Sequence, residues 1–338
     1  MTHLEKAYLD IVPVYSFLLF LLGGLAVFML RPPVVVITDD VFSAVYGTRR
    51  EHFKRIEMSA QLFRRVKLVR VSEKAELDAI IFAVRDAARR PVSAVFPYRY
   101  YEAARLYAAQ NPKTPVVVMA GQNKTPANNS PAVEGDGALV FIKEDEAADF
   151  YHAGLCAALL STQKDSEGAA NNQADTNKTI LMIVNGDASL RAGDIFERGL
   201  RDRGSGASCV FKEMNDNYPI NDLSCVAIWG QASAFLYSST ENEIPVIVFS
   251  WIDPDFASPN VKIIVDDSPL QLLPAVIKSL GKGDVKRVLR AGNNVEIFVP
   301  SVFKIMTLRT DSLPLVLRLN IAARLPVNSA ASGTGGRT

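Results

Sequence analysis

Histidine and cysteine are scarce in this sequence, with three of each in 338 residues, and that scarcity removes whole classes of chemistry. The histidines are His3, His52 and His152, and the cysteines are Cys156, Cys209 and Cys225. They form no C-x-x-C and no Cys/His cluster with ligand spacing, so no metal site is expected. Their apolar neighbours mark the cysteines as small core residues. Also missing are G-x-S-x-G, G-x-x-x-x-G-K-[ST] and H-E-x-x-H. The first strand runs into TDDVFSAVYG, not into the G-x-G-x-x-G of a dinucleotide fold. No catalytic residue and no cofactor is assigned, and the chain reads as a non-enzyme. Excess charge is absent too. Lys+Arg 37 against Asp+Glu 36 leaves +1, which makes no electrostatic case for nucleic acid.

Residues 11–30, IVPVYSFLLFLLGGLAVFML, carry no charge at all. About 20 such residues is the length a helix needs to span a bilayer. A buried core helix would show a polar face, and this segment has none. A cleaved signal peptide is the rival reading. Against it stand the length, Glu5, Lys6 and Asp10 ahead of the run, and the lack of an A-x-A site behind it. No cysteine follows to accept a lipid. One uncleaved N-terminal transmembrane helix is therefore expected. Arg31, Arg49 and Arg50 weigh toward a cytoplasmic body by the positive-inside rule. That rule loses force for Arg49 and Arg50, which fall inside the folded part.

What the chain does have is a regular alternation of short apolar runs and helical stretches. VVVIT (34–38) reads as a strand and residues 44–61 as a helix with an apolar stripe. Residues 66–71 form a second strand, and 72–89 a helix opened by Ser72 with Glu73 and Glu76 in its first turn. Residues 92–96, 115–119 and 138–142 are further strands, with a helix over 100–110. The plan repeats as strand 179–184, helix 187–203, and strands 208–211, 225–228, 245–249 and 261–265. Short apolar strands separated by helices predict parallel sheets covered on both faces. The polar loop QKDSEGAANNQADTNK (163–178) separates the two repeats. If the strand order is 2-1-3 in each repeat, Cys209 and Cys225 flank the first strand about 10 Å apart, too far for a disulfide.

Four stretches carry a resemblance to the type I periplasmic binding proteins over residues 33–305. The first strand ends in a polar tip before an amphipathic helix. ALVFI followed by EDEAADFYHAGLCAALL (144–160) resembles the crossover into a second lobe. IPVIVFSWIDPD (244–255) resembles the family's "IPVIGFD" strand, and VKIIVDDSPLQLLPAV (261–276) its return strand and "D-P" helix start. The resemblance implies an α/β fold of two similar doubly wound parallel-sheet lobes joined by a hinge, behind the N-terminal transmembrane helix. With the anchor read over 1–32, it implies an N-terminal lobe over 33–142 plus about 267–294, and a C-terminal lobe over 143–266 plus about 295–327. Residues 328–338, small and rich in Gly and Ser, are expected to be disordered.

Open α/β sheets bind ligands at the carboxyl ends of their strands. The strand tips supply Asp39, Asp40, Phe42, Tyr98, Arg99 and Gln122 in the first half, and Asn185, Trp229, Gln231, Trp251, Asp253 and Asp266 in the second. Aromatic faces at Tyr98, Trp229 and Trp251 suit a sugar or base, and the carboxylates and amides suit its hydroxyls or ring nitrogens. Simpler readings stand beside these. Asp39 and Asp40 precede a helix, where Asp is a common cap. Asp253-Pro254-Asp255 is turn chemistry, and its two carboxylates lie too close in one turn to be inferred as an acid–base pair. Arg99 also fits a solvated loop charge, Trp251 a loop-packing residue, Tyr100 a helix-packing residue, and KEDEAAD (143–149) a solvated helix start.

By resemblance, the expectation is capture of a small polar ligand between the lobes for ABC-type uptake. The partners are then a permease and, through residues 11–30, the inner membrane, with an extracytoplasmic body. A ligand sensor acting on a membrane partner, or a degenerate relative with a structural role, are the alternatives.

Overall fold

The computed structural model describes residues 3–46, 48–119, 137–166, 179–184, 190–213, 223–229, 243–249, 257–266, 268–306 and 313–324. Helix α1 (His3–Leu30) leads into β1 (Val34–Thr38), α2 (Asp40–Tyr46), α3 (Thr48–Leu62), β2 (Val66–Arg70), α4 (Leu77–Ala87), β3 (Ser93–Pro97), α5 (Tyr101–Gln110), β4 (Val116–Met119) and β5 (Leu139–Glu144). Then come α6 (Glu146–Ser166), β6 (Thr179–Val184), α7 (Leu190–Asp202), β7 (Ser208–Glu213), β8 (Leu223–Trp229), β9 (Val246–Phe249) and β10 (Val261–Asp266). The chain continues through α8 (Pro269–Ser279), α9 (Gly283–Arg290), β11 (Val295–Val299), β12 (Val302–Ile305) and α10 (Leu313–Ala322).

Among the described residues two six-stranded sheets form, ordered β11-β5-β4-β3-β1-β2 and β12-β10-β9-β8-β6-β7. In each, the first strand of the repeat sits between its second and third, all parallel. The physical cause is visible in β1, where all five side chains are buried. A strand buried on both faces is a continuous apolar run and needs helices over both sides. Helix α4 provides one cover with Ile80, Ile81 and Val84, each contributing about 1.5–3 kcal/mol by leaving water. Strand β12 closes the second sheet antiparallel to β10.

The chain divides into two units, residues 1–143 with 273–297 and residues 144–272 with 298–338. It passes between them three times. In the second unit, the first and third passages are bonded together. The Asp145 amide donates to the Val299 carbonyl at 3.0 Å. Asp149 accepts from the Ser301 amide at 2.8 Å and from its hydroxyl at 2.6 Å.

The second core is built on a close helix pair. Gly154 of α6 and Gly199 of α7 face each other, and a Cβ on Gly154 would lie 2.2 Å from the Phe196 carbonyl oxygen. A Cβ on Gly199 would lie 2.3 Å from that of Tyr151. Around this contact pack Leu155, Cys156, Phe196, Leu200 and Cys225. Cys209 and Cys225 both lie opposite Ile180, one on each side of β6, and all three cysteines are free. Burial pushes the Cys156 and Cys209 thiols up to about 12, and raises that of Cys225 further.

Several boundaries differ from the sequence reading. The helix expected over 44–61 begins at Asp40 and forms as α2 and α3. The helix expected to open at Ser72 starts at Leu77, and Ser72 shapes a turn by accepting the Lys74 amide. Asp149, expected in a solvated helix start, is 4 % exposed and bonded to Ser301, while Asp145 does cap the helix through the Ala148 amide at 3.1 Å. Residues 313–322 fall in the stretch expected to belong to the C-terminal lobe, with no element expected there. As α10 they pack on α6, with Leu315, Leu319 and Ala322 in the core.

Among the described residues no helix is long and apolar enough to cross a membrane.

Candidate functional site

At the carboxyl edge of the first sheet, β1 delivers Asp39 into the protein at 1 % exposure. One carboxylate oxygen accepts the Phe42 amide at 2.7 Å, the cap of α2. The other accepts Arg99 Nη1 at 3.0 Å and the Tyr100 hydroxyl at 3.2 Å. Arg99 arrives because β3 pairs in parallel with β1, Val36 opposite Val95, and then turns through Tyr98–Tyr100 into α5. Glu73 sits 3.5 Å from the same Nη1. Burial alone would lower the Arg99 pKa; the charges of Asp39, Tyr100 and Glu73 outweigh it and hold the pKa above its ordinary value.

Asp40 points elsewhere. It is exposed and pairs with Arg70 at 2.6 Å, across from the end of β1. Phe42 is buried in α2. Tyr98 is half-buried beside Tyr101, ring centroids 6.0 Å apart, and Tyr101 stacks on Phe141 at 6.3 Å. The hydroxyl of Thr38, next to Asp39, is buried without a partner among the described residues.

In the second unit, Trp229 ends β8 opposite Phe249 of β9. Its half-buried ring meets Phe150 edge-on at 5.3 Å, and Phe150 lies 5.0 Å from Phe249. Asp266 ends β10 fully buried, accepting the Ser268 amide at 3.1 Å and pairing with Lys304 at 2.6 Å. Gln122, Asn185, Gln231, Trp251 and Asp253 lie outside the described residues. Among the described residues no group of three or more His, Cys, Asp or Glu could hold a metal ion.

No family model and no curated protein matches the sequence. Solved structures are similar in fold. A transcriptional activator of the comK gene from Bacillus halodurans is 9 % identical with a TM-score of 0.50, over 90 % of this chain and 99 % of that one. An ABC transporter solute-binding protein from Conexibacter woesei is 13 % identical with a TM-score of 0.49, over 90 % and 97 %. A carbohydrate transporter solute-binding protein from Agrobacterium radiobacter, in complex with D-arabinose, is 15 % identical with a TM-score of 0.40, over 86 % and 99 %. The two parallel-sheet α/β units agree with the type I periplasmic-binding fold that the sequence resemblance implies. Identities this low make the likeness one of fold alone.

Asp39 and Arg99 stand among the candidates legible in the sequence, and their partners do not. Tyr100 was read as a packing residue, and Glu73 as part of a helix start. Their convergence depends on the β1–β3 register and on the turn after β3, neither of which is written in a local motif.

Tyr100 gives the site a measurable pH response. Burial first, then the negative charge and hydrogen bond of Asp39, push its phenol up to about 12. The folded value lies above the ordinary value of about 10. The stability it contributes is therefore fully present below pH ~10 and lost as pH rises through about 12. Tyr100→Phe is expected to flatten that part of the alkaline limb in thermal melts of the whole chain. An unchanged slope between the two values would remove Tyr100 from the network. Tyr107 and Tyr151 are also raised by burial, so the limb flattens without vanishing.

Proposed function

We propose that the chain is a membrane-anchored solute-binding protein. It takes a small polar ligand, a sugar or nucleoside, at the carboxyl edges of its sheets and passes it to an ABC-type permease. The supporting observation is the group at the end of the first sheet. Arg99, two-fifths exposed, is fixed by Asp39 and Glu73 beside the half-buried Tyr98–Tyr101 pair. A guanidinium already held in place gives its remaining donors to a hydroxyl or carbonyl with little rotamer freedom left to lose. The neighbouring rings supply face area for a flat ligand. Trp229 and Asp266 end their strands at the carboxyl edge of the other sheet.

Anchoring is supported by α1. Phe17, Leu18, Leu19, Phe20, Leu21 and Leu22 are consecutive and each at least half exposed. A run that long covers every side of a helix, and a helix apolar all round belongs in an apolar medium. The reading places α1 in the inner membrane as a single pass, with the body outside the cytoplasm as the resemblance implies.

Native mass spectrometry of the full chain in detergent tests the reading, followed by calorimetry with a panel of sugars and nucleosides. A bound small molecule is expected, and Arg99→Ala is expected to weaken its binding about 10–100-fold, the worth of a hydrogen bond to a charged group. No bound molecule and no heat with any member of the panel would sink it. That outcome would favour a second reading, a relative that keeps the lobes and has a structural role. One observation favours it: both oxygens of Asp39 are already engaged, and Asp40 is paired with Arg70.

A further inference from the structure

We propose that the amino-terminal edge of the first sheet is a cationic face resting on the anionic headgroup layer of the membrane that holds α1. This rests on the anchoring reading above. Strands β1 to β5 run parallel and start nearly level, with Val34 opposite both Val66 and Ser93, Ala94 opposite Val116, and Val116 opposite Leu139. The segments entering β1 to β4 therefore line one edge. They are bonded to each other there, the Val34 amide to the Arg65 carbonyl and the Val92 amide to the Pro33 carbonyl.

Residues 31–33, 63–65, 88–92 and 111–115 contain Arg31, Arg64, Arg65, Arg89, Arg90 and Lys113, and no Asp or Glu. None of those six cations is ion-paired with a carboxylate among the described residues. The opposite edge differs. There Arg70 and Arg99 are each matched to acids. Among the described residues, the entries to β1 to β4 thus keep unmatched positive charge in a chain of net charge +1.

Helix α1 leaves the body at this same edge. Its Phe28 packs edge-on against Phe63 at 5.8 Å, and the Arg31 guanidinium lies over the Phe63 ring at 5.3 Å. Only Arg31, Pro32 and Pro33 separate α1 from β1, a link that spans roughly 11–14 Å at most. The edge is then close to a Debye length of the headgroups, about 8–10 Å, where anionic lipid attracts Lys and Arg. The cations follow β2 to β4 over about 14 Å, three strand spacings. A face of that width on a stiff link fixes the tilt of the unit on its anchor.

The test uses the full chain in lipid nanodiscs of phosphatidylcholine, alone or mixed with phosphatidylglycerol. A fluorophore is placed at Ala88→Cys in a Cys209→Ala background, Cys156 and Cys225 being fully buried. Brominated lipid reports contact by quenching. Stronger quenching is expected in the anionic discs, returning to the neutral-disc level at about 1 M salt, where the Debye length is about 3 Å. Arg89→Glu/Arg90→Glu/Lys113→Glu changes only exposed residues, and each charge removed is expected to lower the contact equilibrium about fivefold. An unchanged melt in detergent confirms that this variant folds. Quenching equal in both lipids, or unmoved by the reversed charges, overturns the proposal, as does capture of an acidic protein by this edge with no dependence on lipid charge. A chain that fails to co-elute with the discs at all overturns the anchoring reading instead.

Discussion

Gly154→Ala is expected to cost the second unit about 3 kcal/mol or more, and Gly154→Leu to prevent its folding. The added Cβ would meet the Phe196 carbonyl oxygen at 2.2 Å and the Gly199 Cα at 3.1 Å. Both obstacles are backbone, so no side chain can rotate away and the helices α6 and α7 must separate. Overpacking typically costs about 1–3 kcal/mol where neighbours can give way, and a total stability of about 5–15 kcal/mol leaves little reserve. Separating the helices would also loosen Leu155, Phe196 and Leu200, which the contact holds in one core. Gly199→Ala meets the Tyr151 carbonyl oxygen in the same way. One outward shift relieves both clashes, so the double variant is expected to cost less than the sum. Gly206, with nothing within 4 Å of its Cβ position, is the control and is expected to tolerate alanine within about 0.5 kcal/mol. Urea unfolding of the four alanine variants measures these costs, and loss of a cooperative transition reports the leucine variant. A Gly154→Ala midpoint equal to that of the parent would mean the helices do not touch.

Asp39→Ala is the second large effect, about 2–4 kcal/mol. Three partners lose their acceptor: the Phe42 amide, the Tyr100 hydroxyl and Arg99. Losing the cap accounts for about 0.5–2 kcal/mol. A buried hydroxyl left without its partner accounts for a further 1–3 kcal/mol or so. Arg99 adds little, because a guanidinium two-fifths exposed recovers water. Asp39→Asn separates the contributions. Its amide oxygen still caps α2, while the charge opposite Arg99 is gone, so it is expected to fall between the parent and the alanine variant. If Asp39→Asn and Asp39→Ala unfold alike, the cap contributes nothing. If neither moves the midpoint, the carboxylate does not hold Phe42, Arg99 and Tyr100 together.

The strands were largely legible because burial on both faces writes itself as an uninterrupted apolar run, as in VVVIT and VIVF. Helix starts were not. Ser72, Glu73 and Glu76 have the composition of a cap, yet the chain turns there first and the helix starts only at Leu77. In the other direction, the Thr38-Asp39-Asp40 tip read as a loop ending at residue 44, while the Asp39 carboxylate already starts α2 at Asp40. Strands β11 and β12 went unassigned because they are half-buried and mix charged with apolar residues. At the candidate site, Asp39 was legible as a cap or a ligand group, and its cap bond is now seen. Its links to Arg99 and Tyr100 span about 60 residues and follow from strand register, which no local pattern encodes. Asp149 is the sharpest difference. It stands in a run of charges with every mark of a solvated helix end, and a serine 152 positions away buries it.

The order of the first sheet also has a consequence in time. Its strand β5 is paired on one side with β4 and on the other with β11. Between Glu144, where β5 ends, and Val295, where β11 begins, lie roughly 150 residues. At a synthesis rate of about 5–20 residues per second, β5 is made some 8–30 s before its partner exists. For that interval the backbone of LVFIKE is an open strand edge of the kind that pairs with other chains. Two charged residues at its end, Lys143 and Glu144, are its own protection until Glu296 arrives to pair with Lys143 at 3.1 Å. The nascent first unit therefore waits, unsealed, while the second is being made.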